Sequence, residues 1–113
     1  MNISELQLLK EKLGKGFYVE NLYEMASLCK RLAKDSAYAL AFHVLWSIFI
    51  DIARDWDGRP LPVDEATKVQ QKLEAPIREV IQRLEAFRNK QELFDSLTKL
   101  VAAHMQAISL QLR

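Results

Sequence analysis

One cysteine, three glycines and three prolines are all that 113 residues contain of these types, and the formal net charge is only +1. Each scarcity removes a class of answer. Cys29 has no partner for an intrachain disulfide and suits a reducing, cytoplasmic setting. So few glycines and prolines favour long uninterrupted helices over a turn-rich sheet. A balance this close to neutrality gives no electrostatic case for a nucleic-acid or membrane partner. The balance also holds locally. Residues 1–34 carry six Lys/Arg against four Glu, and residues 35–63 carry two against four Asp. The first residues, MNISELQLLKEKLGK, lack the basic region and small-residue cleavage site of a signal peptide.

Long apolar runs are missing too, with one near exception. Ala37 to Ile50 is apolar apart from His43 and Ser47. Wound as a helix, those 14 residues span about 21 Å, short of the roughly 30 Å of a bilayer core. Continuing downstream brings in Asp51, Arg54 and Asp55. The segment therefore reads as a buried helix of a water-soluble protein. Over Ser36–Trp56 a broad face holds Tyr38, Ala41, Phe42, Leu45, Ile48, Phe49, Ile52 and Trp56. His43, Ser47 and Arg54 share a narrow opposite stripe. A helix this apolar has to be covered over most of its circumference.

The rest of the chain also has helical periodicity. Ile3, Leu6, Leu9 and Leu13 mark a short first helix, with Asn2 and Glu5 spaced as a capping box and Gly14 placed for a left-handed C-terminal cap. Tyr18, Leu22, Met25, Cys29 and Leu32 form the seam of a second helix over about Phe17–Lys34, with Asp35-Ser36 able to cap the third. No glycine or proline separates these two, so residues 17–56 fit either one bent helix or two. Asp57-Gly58-Arg59-Pro60-Leu61-Pro62 reads as a loop, and Asp64 as the cap of a fourth helix. That helix has a narrow seam of Ala66, Val69, Leu73, Ile77, Val80, Leu84 and Phe87. Glu74 with Arg78 and Glu79 with Arg83 are favourable i,i+4 pairs. Pro76 should kink or split the helix. Asn89 to Glu92 forms a second capping box, opening a last helix with a seam of Phe94, Leu97, Val101, Met105, Ile108 and Leu112. Leu93, Leu100 and Leu110 give it a second ridge.

The fold expected is a single all-α domain over residues 1–113, an antiparallel four-helix bundle with a short extra N-terminal helix. The third and last helices have more apolar surface than one stripe each, which points to a homodimer, the competing account being that the N-terminal helix covers the excess within one chain.

Chemistry is sparse. His43 and Ser47 lie one turn apart on one helix, without the strained nucleophile turn or oxyanion loop that catalysis needs. His43, His104, Cys29, Glu20, Glu24, Asp51 and Asp55 are the available metal ligands. No Glu-x-x-His or Cys-x-x-Cys occurs among them. No catalytic residue, cofactor or metal is therefore expected. Lys10, Lys12, Lys15, Lys30, Arg31 and Lys34 are interspersed with glutamates and read as solvated helix surface, with no nucleic-acid partner. The densest charged and aromatic cluster is Asp51, Asp55 and Asp57 with Arg54, Arg59 and Trp56, where the third helix runs into the proline loop. Arg54, Asp55, Trp56 and Arg59 of this cluster, with His43, are the candidate binding residues, since Trp and Arg dominate binding hot spots. The favoured structural alternative has Arg54 bridge its acidic neighbours and Trp56 close the end of the core. Two function classes fit. One is a protein-binding adaptor, regulator or assembly factor without catalytic activity. The other is a small-molecule-binding bundle with a pocket around His43, Ser47 and Arg54.

Overall fold

The computed structural model describes residues 3–34, 38–58, 63–86 and 89–111, the side chains of 108–111 excepted. It is all-helical over these residues, with five helices: α1 (Ile3–Gly14), α2 (Val19–Ala33), α3 (Ala39–Trp56), α4 (Val63–Glu85) and α5 (Lys90–Gln111). Their contacts divide the chain into two compact units, Met1–Leu61 and Pro62–Arg113.

In the first unit α2 packs against both α1 and α3. Leu6, Leu9 and Leu13 are buried as their spacing predicts. The α1–α2 turn uses its glycines differently from expectation. Gly14 completes α1, and Gly16 takes the left-handed conformation at φ 102°. Helical winding runs one residue past Leu13, so the positive φ falls where the chain must reverse.

Residues 17–56 form two helices, not one. Phe17 is buried ahead of α2, and Tyr18 stands in extended conformation at its N-cap, half-exposed. Leu22, Met25, Cys29 and Leu32 are buried, joined by Ala26 and Leu28. The proposed cap Asp35-Ser36 and the first capping residue Asn2 lie outside the described residues. Along α3 the buried face is Ala41, Phe42, Leu45, Ile48, Phe49, Ile52, Ala53 and Trp56. That matches the broad face of the sequence, except that Tyr38 precedes the helix and is only partly covered. Gly58 ends α3 with φ 72°, and a side chain there would meet no neighbouring atom.

The second unit is a helical hairpin of α4 and α5. Helix α4 starts at Val63, so Asp64 lies within its first turn and not at its cap. It runs continuously through Pro76. Val69, Leu73, Ile77, Val80, Ile81 and Leu84 are buried. Both i,i+4 pairs form, Arg78 to Glu74 at 3.4 Å and Arg83 to Glu79 at 3.9 Å. Arg83–Glu92 at 3.8 Å and Lys99–Glu79 at 3.7 Å tie the two helices together. The Asn89 side-chain Oδ1 caps α5, accepting from the Glu92 backbone amide at 2.8 Å.

Helix α5 is rotated about a quarter-turn from its sequence seam, of whose described members only Leu97 is buried. Leu93, Leu97, Leu100 and Ala107 are buried, together with Ser96, whose hydroxyl donates to the Glu92 carbonyl at 3.1 Å. Phe94, Val101 and Met105 are exposed by 58%, 42% and 57%. Two apolar ridges about a quarter-turn apart compete for one interface. Packing against α4 selects the one that includes Leu93 and Leu100.

Candidate functional site

The stripe of α3 opposite its buried face carries the first sequence candidate. His43 is exposed, and its imidazole lies against the indole of Trp46, with ring centroids 5.5 Å apart and planes tilted by 34°. The i,i+3 spacing on α3 puts the two rings side by side. Across from them, the C-terminal half of α2 presents Lys30 and Ala33. Together these four residues line a surface cleft of about 200 Å³. Ser47 and Arg54 are also exposed, but neither lines this cleft. His43, Ser47 and Arg54 thus share a face as the sequence implies, and that face is turned outward.

The end of α3 gathers the remaining candidates around a different contact. The Tyr23 hydroxyl of α2 donates to Asp57 Oδ2 at 3.1 Å. Burial of the phenol raises the Tyr23 pKa, and the hydrogen bond to the Asp57 carboxylate with its negative charge raises it further; Arg54 acts in the opposite sense. Trp56 is only 4% exposed and closes the core instead of reaching outward. Arg54 and Asp55 are exposed, and Arg59 lies outside the described residues.

A second cleft, about 350 Å³, opens between α1 and α2 over Leu8 and Leu28. Lys12 Nζ and Glu24 Oε2 meet beside it at 2.6 Å. The hydrogen bond from Lys12, with its charge, holds the Glu24 carboxyl below the usual glutamate value. Arg31 Nε faces Glu5 Oε1 at 3.9 Å. Lys12 and Arg31 are therefore engaged by carboxylates of their own unit.

Asn21 has no counterpart in the sequence reading. Its fully buried side-chain amide donates to the Lys12 carbonyl at 2.7 Å and the Gly16 carbonyl at 2.8 Å. It thereby gives the Gly16 carbonyl a donor and the Lys12 carbonyl a second one beside the Lys15 amide, which lies at 3.0 Å. No periodicity argument finds such a residue, because a lone asparagine within an apolar seam looks like a breach of the pattern. Trp46 was accessible from its spacing to His43. Lys30 was not, because it comes from another helix.

Among the described residues no group of three or more His, Cys, Asp or Glu is placed to hold a metal ion, and no helix is long and apolar enough to cross a membrane. Compared with family models, curated proteins and solved structures, the chain matches none of them.

Proposed function

We propose that this chain is a cytoplasmic, non-enzymatic helical protein that works by binding other protein chains, as a homodimeric adaptor, regulator or assembly factor. The observation that carries this reading is the ridge of Phe94, Val101 and Met105 on α5. It lies beside a buried ridge on the same helix, and only Thr98 stands between its members. Large apolar side chains repeated at helical spacing on an exposed face are the form in which helices recognise other helices.

A second copy fits this ridge. An isologous contact places the same patch on itself, so a charge near the axis would meet its own image. Phe94, Thr98, Val101 and Met105 carry none. The four-helix arrangement expected from the sequence belongs to the same proposal and needs two helical hairpins; α2–α3 and α4–α5 supply them. The single buried Cys29 suits a reducing compartment.

Sedimentation equilibrium tests the reading. The expected result is a dimer that the double variant Phe94→Glu, Met105→Glu converts to a monomer of unchanged helicity. A wild-type chain that stays monomeric into the high micromolar range would remove the homodimer.

A further inference from the structure

We propose that the cleft bounded by Lys30 and Ala33 of α2 and by His43 and Trp46 of α3 is a binding site for a small aromatic carboxylate. This site lies in the first unit and does not depend on the α5 ridge. Three observations converge on that ligand chemistry.

The first is the wall. Indole and imidazole stand 5.5 Å apart with a 34° tilt, which leaves a ring-lined flank open to the cleft. A flat π-system gains most from such a flank through offset or edge-to-face contact. The chain's other tryptophan, Trp56, is enclosed, whereas Trp46 is kept partly at the surface beside an exposed histidine.

The second is the charge. Among the described residues Lys30 has no carboxylate partner, as is also true of Lys15, Lys34, Arg54 and others, but Lys30 alone of these lines the cleft. No described residue that lines the cleft is acidic. The rim therefore offers one uncompensated cation next to an aromatic surface, which favours an anion and disfavours a cationic ligand.

The third is size. A cavity of about 150 Å³ takes a benzene ring. The 200 Å³ here leaves room for one ring and a short arm that brings a carboxylate to the Lys30 ammonium. An inorganic anion would leave the aromatic wall unused.

The test is a ¹H–¹⁵N titration of the full chain with 3-phenylpropionate, and in parallel with its neutral amide. Trp46 and Trp56 give two indole N–H signals, and the enclosed Trp56 serves as the internal reference. A ligand this small should bind with Kd on the order of millimolar. The expected result is a saturable shift of the Trp46 indole and of the Lys30 and His43 amides, with Trp56 unmoved. The amide should bind about threefold more weakly, a ratio typical of one exposed charge pair. Lys30→Ala should abolish that difference between acid and amide. Trp46→Ala should weaken both ligands about fivefold or more. Lys30 and His43 are exposed, so Lys30→Ala and His43→Ala keep the fold, and the dispersion of their spectra verifies this. Absence of a saturable shift, equal affinity for acid and amide in the wild type, or an equal response of Trp56 would each overturn the proposal.

Discussion

Asn21 Nδ2 donates to the carbonyl oxygen of Lys12 at 2.7 Å, nine positions back along the chain, and so fastens α2 to the end of α1. The same nitrogen reaches the Gly16 carbonyl, while Oδ1 is buried without a hydrogen-bond partner in the protein. Asn21→Ala should cost about 1–3 kcal/mol, because the part-buried Gly16 carbonyl loses this donor and the Lys12 carbonyl keeps only the Lys15 amide. Asn21→Asp should cost more, since it sets an acceptor against two acceptors. Urea unfolding measures both, and an aspartate variant as stable as the wild type would show that this contact does not hold the turn.

The Lys12–Glu24 pair should give stability a specific dependence on pH. The folded-state pKa of Glu24 lies below its ordinary value near 4.5. The stabilisation is therefore complete above that value and is lost as pH falls through the lower folded value. Thermal melts of the wild type and Glu24→Gln should differ at neutral pH and converge in acid. A difference that persists unchanged at the acid end would contradict the assignment.

Cys29 should be chemically silent in the native protein. It is buried on α2, and burial pushes its thiol far above the ordinary cysteine range. Labelling by an aromatic disulfide reagent should be slow in buffer and fast in denaturant, with the native rate following the opening of the first unit. Rapid labelling without denaturant would mean that the α2 seam opens easily.

Two adjacent residues on α5 should respond in opposite ways. Leu100 is fully buried and Val101 is not. Leu100→Ala should cost about 2–5 kcal/mol. Val101→Ala should change the stability of the monomer by less than about 0.5 kcal/mol. Reversed magnitudes would mean that α5 is rotated onto its other ridge.

Pro76→Ala should stabilise α4 by roughly 2 kcal/mol. It restores the missing amide donor inside a continuous helix and removes the contact of the ring with the preceding turn. The greater freedom of alanine in the unfolded chain returns a few tenths of that. A lower melting temperature for the variant would show instead that the proline ring contributes packing.

The helical segments were legible from periodicity, as were the Asn89 cap and the two i,i+4 pairs of α4, but not whether residues 17–56 hold one helix or two or whether Pro76 divides the fourth. The legible features are local properties, set within one or two turns of chain. The candidate site was only half legible. His43 was identified on the outer stripe of α3, but its neighbour across the cleft, Lys30, comes from α2 and shares no periodicity with it. Trp56 and Arg54 look alike in sequence as members of one cluster. In the structure the indole closes the core and the guanidinium faces outward.

The amino-acid sequence alone determined that this protein is helical, where most helices begin and end, and which face of α2, α3 and α4 is apolar. The side-chain period and the position of glycine decide those matters without reference to the rest of the chain. Tertiary structure decided which ridge of α5 is covered and that Pro76 stays within one helix. It also decided that Asn21 serves the end of α1 and that Lys30 stands opposite His43 and Trp46. Each of these depends on a surface supplied by a second helix. Both ridges of α5 are apolar, and the surface that α4 presents decides which of them is covered.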